Sequence, residues 1–254
     1  MKTEPATTRT VKRTSLELNR GKFAKLENIA KAHRDEKRVH LEWYQHDGRF
    51  ALARNSRAYR DSLTANDYSK DRLLQVRGIN LAIKDAFETE EKYWAAIAAG
   101  ISIRDRQWSD AQKHYANWLM FLPRRFSELI LDRAPINEQI PLSLVERKQV
   151  QNYLRRQARK QMGHRPRARA ARSFALDPGM YRVFEQAGRQ YISITSLEKN
   201  KRLIIPLEGF TTISGDLRVV LLPDEQKVEL PGHVRHRESR PRNRRLGRDR
   251  CRPD

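Results

Sequence analysis

The segment from Tyr191 to Leu230 constrains the fold of this chain more than any other, because short runs rich in Ile, Val and Leu alternate there with turn residues. It reads YISITSLEKNKRLIIPLEGFTTISGDLRVVLLPDEQKVEL. The turn residues stand at Lys199–Asn200, Ser214–Gly215–Asp216 and Pro223–Asp224. Such a pattern predicts the strands of an antiparallel meander or a small barrel. The predicted strands are Tyr191–Leu197, Arg202–Leu207, Leu217–Leu222 and Lys227–Leu230.

Further strands are predicted outside this segment. Thr10–Leu18 alternates between apolar and polar residues well enough to form a first strand near the start of the sequence. Ser173–Leu176 and Met180–Phe184 flank the turn sequence Asp177–Pro178–Gly179. We expect these two segments to pair with each other as a hairpin.

Helices are predicted between the first strand and these segments, because apolar residues recur at three- and four-residue spacing from about residue 20 to about residue 130. Asn19 opens the first helix, and either Asn66 or Asp67 caps a later one. Gly100 ends that helix, and Pro123 breaks or restarts the region that follows it. The aromatic residues of these helices are interpreted as the core of a helix bundle, with base-stacking platforms as the alternative.

A strongly basic segment begins with a further helix at Ser143. Glu146 stands three residues after Ser143, which is the spacing of a capping box. From Leu142 to Arg172 the chain holds ten Lys and Arg residues against one Glu. Like charges four residues apart repel each other on a helix, so the segment favours a polyphosphate partner that neutralises them. The alternative is a solvated helix that continues into a disordered basic linker.

The candidate nucleic-acid-binding residues are the basic residues of this segment and of the turn before Leu203. For Lys201 and Arg202 the alternative is a strand edge that is kept polar against aggregation. The complete set is Arg147, Lys148, Arg155, Arg156, Arg159, Lys160, Arg165, Arg167, Arg169, Arg172, Lys199, Lys201 and Arg202.

The composition favours the same class of partner. The formal net charge is +21 over 254 residues, with basic residues along the whole chain, which indicates nucleic acid rather than a merely solvated basic surface. No apolar run approaches the roughly 20 residues of a spanning helix, and the first residues lack the apolar region of a secretory signal, so we expect a cytoplasmic protein with no membrane partner. The single Cys251 excludes an internal disulfide, and the seven His residues form no metal-ligand motif.

The motifs of the β-rich segment resemble a known family. The sequence K-N-K-R-x-x-I-P-L-x-G, followed by S-G-x-L-R-V-V-L and V-E-L, resembles the part of the TnpB (OrfB) proteins of insertion sequences that precedes their nuclease domain. Type V CRISPR effector nucleases share that layout. The resemblance covers roughly residues 9–230 and is most specific over 190–230. The matching residues include Lys201, Arg202, Ile204, Ile205, Pro206, Leu207, Gly209, Ser214, Gly215, Leu217, Arg218, Val219, Val220 and Val228–Glu229–Leu230.

The resemblance implies an α+β fold: a small, wedge-like antiparallel β-barrel interrupted by a helical insert. The composition after Leu230 predicts a disordered basic C-terminal tail. The expected divisions are 1–19 for the first strand of the barrel, 20–140 for the helical recognition insert, 141–230 for the basic helix and the rest of the barrel, and 231–254 for the tail. The tail holds nine Arg and no Lys. We interpret this composition as a shifted reading frame of GC-rich DNA, with a native RNA-binding tail as the alternative.

The resemblance also implies a function. In relatives, this half of the protein holds a structured guide RNA and helps to read a short DNA motif, while a RuvC-like domain with a zinc ribbon cuts the DNA. That nuclease would lie beyond residue 230, so no catalytic residue is assigned here, and Mg and Zn are expected only for the missing domain. The expected partners are guide RNA and DNA, together with a separately encoded nuclease fragment that could act in trans. The alternatives are a nuclease-free, RNA-guided DNA-binding regulator and a nonspecific basic RNA-binding protein.

Overall fold

All α-helices of the described residues lie in sequence between the first strand and the second. The structure is a computed structural model that describes residues 8–53, 55–131, 137–210 and 213–235. The helices are α1 (Arg20–Gln45), α2 (Arg49–Leu52), α3 (Ser56–Ala65), α4 (Val76–Ala99), α5 (Asp110–Phe121), α6 (Pro123–Ile130) and α7 (Leu144–Gln161). The strands are β1 (Thr8–Thr14), β2 (Ser173–Leu176), β3 (Tyr181–Gln186), β4 (Arg189–Thr195), β5 (Arg202–Pro206), β6 (Leu217–Leu222) and β7 (Lys227–Arg235).

The strands form two antiparallel sheets, so the protein is of the α+β class, as the sequence predicts. One sheet has the strand order β1-β7-β6-β2 and the other has the order β3-β4-β5. The first strand therefore pairs with the last, from Thr8 opposite Arg235 to Thr14 opposite Glu229, across the whole helical region. The strands predicted between Tyr191 and Leu230 are all present, with bounds that differ from the prediction mainly by one or two residues.

The predicted hairpin around Asp177–Pro178–Gly179 is wrong. Strand β2 pairs with β6, whereas β3 pairs with β4, so the turn carries the chain from one sheet to the other. The side chain of Asp177 accepts a hydrogen bond from the Gly179 amide at 2.7 Å, and Arg77 of α4 binds the same carboxylate at 3.1 Å. The tight hairpin lies instead at Ala187–Gly188, where φ values of 49° and 67° fit the primed turns that join twisted strands.

The predicted helix caps are mostly confirmed. Asn19 accepts a hydrogen bond from the Lys22 amide at 2.9 Å, Gly100 ends α4, and Pro123 restarts the chain as the first residue of α6. The capping box is also present, because the Ser143 hydroxyl accepts from the Glu146 amide while Glu146 accepts from the Ser143 amide.

The cap predicted at Asn66 or Asp67 is wrong. Asn66 follows the last residue of α3, and its side-chain amide donates to the Ser62 carbonyl at 2.8 Å. An Asn side chain can donate to the unpaired carbonyls at the end of a helix and can also accept from the unpaired amides at its start. The presence of an Asn therefore does not tell whether a helix begins or ends there. Helix α4 begins only after Gln75.

The end of the last strand also differs from the prediction. Strand β7 continues to Arg235, five positions past the predicted boundary at Leu230, because it pairs with β1 along that length. Residues 236–254, to which most of the hypothesis of a shifted reading frame applies, lie outside the described residues.

Two hydrophobic cores meet at α1. The first half of this helix places Phe23, Leu26 and Ile29 in the core of the strands, and the second half places Leu41 and Tyr44 in the core of the helices. Because one continuous helix contributes to both cores, it fixes how the helical region sits on the sheets.

The interpretation of the aromatic residues as helix-bundle core is only partly confirmed. Trp94 and Tyr115 are fully buried among the helices, with exposures of 2% and 0%. Trp43, Trp108 and Trp118 are only partly buried, and each has an Arg guanidinium over its ring.

A buried ionic cluster joins α1, α4 and β6 where the two cores meet. Asp85 is 7% exposed, and its carboxylate contacts His33 Nε2 at 3.0 Å and Arg218 Nη2 at 2.6 Å. Arg218 also donates to the Ser173 hydroxyl at 3.3 Å, which extends the cluster to β2. Burial alone would raise the pKa of Asp85, but the hydrogen bonds from His33 and Arg218 outweigh burial and hold that pKa well below its usual range.

We expect Asp85→Asn to lower the free energy of unfolding at pH 7 by about 3–5 kcal/mol, because it breaks a buried ion pair. The native pKa of Asp85 is depressed, so its charge stabilises the protein above the unfolded-state pKa of about 3.9, and this contribution is lost as the pH falls below that value. The stability difference between the variant and the original protein should therefore shrink below about pH 4. Urea unfolding at several pH values measures it.

The control for this variant is Asp216→Asn. Asp216 is half exposed and pairs with Lys84 of α4 at 2.8 Å, so its loss should cost less than about 1 kcal/mol. Equal losses for the two variants, or a difference that does not depend on pH, would contradict the assigned role of Asp85.

Candidate nucleic-acid interface

The predicted nucleic-acid-binding residues fall into two groups in the structure. In one group the side chains are held by other parts of the protein, and in the other they are exposed and make no side-chain hydrogen bond or ion pair with a described residue. The held residues are Arg147, Arg155, Arg165, Lys201 and Arg202. The exposed residues are Lys148, Arg156, Arg159, Lys160, Arg167, Arg169, Arg172 and Lys199.

Two arginines of α7 connect this helix to its neighbours. Arg147 donates to the carbonyls of Leu142 and Ile140 at 3.1 and 3.0 Å, which fixes the segment that enters the helix. Arg155 donates to the Leu129 carbonyl at the end of α6 at 2.8 Å. An Arg directed at a backbone carbonyl satisfies an orphan acceptor of the fold, so these two residues have structural roles.

Arg165 fixes the segment after α7 to the helical core through a buried carboxylate. Glu90 is fully buried and accepts hydrogen bonds from Gln45 at 3.1 Å, from Trp94 at 3.1 Å and from Arg165. The Arg165 guanidinium also lies over the rings of Trp94 and Tyr93, at 4.9 and 5.2 Å from their centroids. A buried charge needs such partners, which assigns Arg165 to the fold rather than to a ligand.

The basic turn before Leu203 is mostly held by its own strands. Arg202 donates to the Ser193 hydroxyl and carbonyl, both at 2.9 Å, and to the Met180 carbonyl at 3.2 Å. Lys201 pairs with Glu198, and the same carboxylate binds Lys25 of α1 at 3.4 Å. Lys199 is exposed beside them.

A basic groove forms between α1 and the segment that follows Arg165. It has a volume of about 430 Å³, and its lining residues include Arg34, Arg38, Arg167 and Arg169. Glu42 is the acidic residue of the lining, and Asp35 beside the groove contacts Arg34 at 2.8 Å and Arg38 at 4.0 Å. We call this feature the arginine groove.

The floor of the arginine groove is fixed in place. Gln45 of α1 donates to the Pro166 carbonyl at 3.0 Å and also binds Glu90, next to Arg165. Arg167 and Arg169 are therefore presented from a backbone that is tied to α1 on one side of Pro166 and to α4 on the other. Guanidinium groups carried by a backbone held in this way suit the bidentate recognition of phosphate.

The positive charge extends from the groove along α1 toward β6. Lys37 lies one turn of α1 from the groove, and burial lowers the pKa of its ammonium group. Asp85 opposes this shift, whereas Arg218 and Lys92 lower the pKa further. Glu88 of α4 also opposes the shift, so Lys37 lies among charges of both signs from α4 and β6.

Sequence reasoning found Arg167 and Arg169 and missed Arg34 and Arg38. The missed pair stands four residues apart on α1, which places both on one face of that helix, but they lie far from the basic segment in sequence. The folding of α1 against the segment 166–169 brings the two pairs together.

Other classes of site find little support in the described part of the chain. No group of three or more His, Cys, Asp and Glu residues in it could hold a metal ion. None of the helices that it contains combines the length and the apolar character needed to cross a membrane.

We expect Arg165→Ala to lower the free energy of unfolding by about 3–5 kcal/mol, because it leaves Glu90 buried without its cation. The matched variant Arg167→Ala removes an exposed guanidinium two residues away and should change stability by less than about 0.5 kcal/mol. Urea unfolding of both variants measures the difference. If Arg165→Ala leaves the free energy of unfolding nearly unchanged, the structural role of Arg165 is wrong and the residue is again a candidate for nucleic-acid binding.

Comparison with known proteins assigns no family to this chain. No model of a known protein family matches it, and no curated protein is significantly similar to it.

Proposed function

We propose that this chain binds RNA and DNA, as the nucleic-acid-binding portion of an RNA-guided DNA endonuclease of the TnpB type. The arginine groove is the observation on which the proposal rests, because four arginine residues from two distant segments line one concave surface. The proposal assigns no cleavage to these residues.

The chemistry of the groove favours a phosphate backbone over other anions. One guanidinium group can bind two oxygens of a phosphate at the same time. Several guanidinium groups in a row neutralise successive phosphates of a strand. Helix α7 adds further exposed cations, since Lys148, Arg156, Arg159 and Lys160 lie on the solvent side of a helix whose opposite side buries Val150, Leu154 and Ala158.

The strand arrangement supports the wedge-like barrel that the resemblance implies. Beyond β1, Ser15 bridges to Leu207 after β5, the Leu16 amide donates to the Pro206 carbonyl at 3.0 Å, and the Glu208 amide donates to the Thr14 carbonyl at 2.9 Å. The turn from β2 to β3 links the other edges of the same two sheets. Taken in order, the strands β2-β6-β7-β1-β5-β4-β3 then form one succession, whose end strands β2 and β3 are joined by the chain and not by a ladder, with the helical region inserted between β1 and β2.

The residues on which the resemblance rests have defined places in this arrangement. Arg218 binds Asp85, and the Pro206 carbonyl accepts the hydrogen bond from Leu16 that links the two sheets. Gly209 and Gly215 adopt φ values of 71° and 80°, a region that favours glycine. The motif therefore specifies how the strands join each other and the helices.

The first test is to express the chain together with its native flanking DNA, purify it, and sequence the RNA that survives a high-salt wash. The proposal predicts one structured RNA that derives from the end of the same genetic element. Heterogeneous RNA would favour nonspecific basic binding, and the absence of RNA would overturn the proposal.

The second test uses the salt dependence of binding to a labelled RNA hairpin and a labelled DNA duplex. Contact with about 6 phosphates predicts a slope of log affinity against log salt of about −5. The double variant Arg167→Gln/Arg169→Gln should make this slope less negative by about 1.5–2. Each lost phosphate contact changes the slope by somewhat less than one.

The matched control is Arg182→Gln/Arg189→Gln, which removes the same charge from exposed positions on the β3–β4 hairpin. Equal effects of the two double variants would show that net charge, and not the arginine groove, sets the affinity.

A further inference from the structure

A second concave site lies between α7 and the loop that joins α4 to α5. It is an open cleft of about 860 Å³, within the size range of small-molecule sites. We call it the aromatic cleft. Its lining residues are Asp105, Arg106, Gln107, Trp108, Gln149, Asn152, Tyr153 and Arg156.

Both walls of the aromatic cleft are held in place. Tyr153 of α7 donates its hydroxyl to the Ser102 carbonyl at 2.8 Å, and Gln161 donates to the Gly100 carbonyl at 3.3 Å. The far end of the loop leads into α5 through a capping box between Ser109 and Gln112. The cleft is therefore a preformed feature, as a specific site requires.

The aromatic residues of the cleft differ from those of the core. Trp108 and Tyr153 meet edge to face, with ring centroids 5.1 Å apart, and both stay partly exposed. The guanidinium of Arg106 lies 4.7 Å from the Tyr153 centroid and 5.5 Å from that of Trp108. Such a group of planar side chains is a surface on which a nucleobase can stack.

The polar lining suits the edge of a base. Gln107, Gln149 and Asn152 are exposed primary amides, and each combines a hydrogen-bond donor with an acceptor. Base edges also present donors next to acceptors, which amide side chains match. Within the described residues, Gln149 and Asn152 use their carbonyl oxygens for contacts with Gln112 at 3.5 Å and Arg155 at 3.4 Å, so their NH2 groups are left for a ligand.

The charge of the cleft favours an anionic ligand. Arg106 and Arg156 outweigh Asp105 in the lining. On α7 the lining residues Gln149, Tyr153 and Arg156 stand at helical spacing with Lys160, so the cleft continues directly into the exposed basic face of that helix.

We propose that the aromatic cleft binds an unpaired nucleobase of a strand whose flanking phosphates lie along α7. The base stacks on Tyr153, with the perpendicular ring of Trp108 beside it. Its edge bonds to Gln149 and Asn152, and Arg156 with Lys160 holds the adjacent backbone. This inference rests on the proposed function, because it assumes a nucleic-acid ligand. It adds to that function a site that distinguishes unpaired from paired segments.

The test compares Tyr153→Leu with Tyr153→Phe in the full chain. The probes are an RNA hairpin whose loop holds one 2-aminopurine and a fully paired RNA duplex of the same length. Loss of the ring should weaken hairpin binding by about 5- to 150-fold and abolish the quenching of 2-aminopurine fluorescence, whereas Tyr153→Phe, which keeps the ring, should retain the quenching. Duplex binding should change little in either variant.

A second variant, Asn152→Ala/Gln149→Ala, alters only exposed side chains and is therefore expected to fold. It tests the inference independently if Tyr153→Leu does not fold. It should weaken hairpin binding by about 2- to 12-fold per lost hydrogen bond while duplex binding is unchanged. Equal losses on both probes in either variant, or unchanged quenching in Tyr153→Leu, would overturn the inference and leave the proposed function intact. Binding of free adenosine monophosphate as tightly as the hairpin would also overturn it, because the cleft would then be a mononucleotide site. Failure of the original chain to bind either RNA probe would remove the proposed function itself.

Discussion

The contact on which the rest of the structure depends is the buried carboxylate of Asp85. It lies on α4, binds His33 of α1 and Arg218 of β6, and so joins two helices to the larger sheet through one side chain. A carboxylate removed from water is stable only when cations or donors surround it, so these elements can meet only in an arrangement that satisfies it. Arg34 follows His33 directly, and the position of the arginine groove therefore depends on the same contact.

Carboxylates and carbonyls decide which arginines serve the fold and which remain exposed. Arg165 has the buried Glu90, and Arg155 has the Leu129 carbonyl. Arg167 and Arg169 have no such partner among the described residues and face the groove. The high net charge thus comes from two groups of basic side chains, those held by the fold and those exposed to solvent. Only the exposed group is available to neutralise phosphates.

Helix α7 links the two proposed sites. One side of it is buried against the helical core, its middle lines the aromatic cleft, and the chain beyond its end lines the arginine groove. Arg155 of the same helix donates to the Leu129 carbonyl and so belongs to the buried side of this arrangement and not to its exposed cations. A strand lying along α7 would meet stacking rings first and guanidinium groups afterwards.

The sequence by itself determined the local features of this protein, namely the strands after Tyr191, the helix starts at Asn19 and Ser143, the restart at Pro123 and the large positive charge. These follow from periodicity, caps and composition, which act over a few residues. Only the tertiary structure decided that β2 and β3 belong to different sheets, that Asn66 ends a helix, that Arg165 is held by Glu90, and that Arg34 and Arg38 join Arg167 and Arg169. The physical reason is that each of these outcomes depends on partners distant in sequence or on which neighbouring group a side chain satisfies, and a single sequence does not show which distant groups burial brings together.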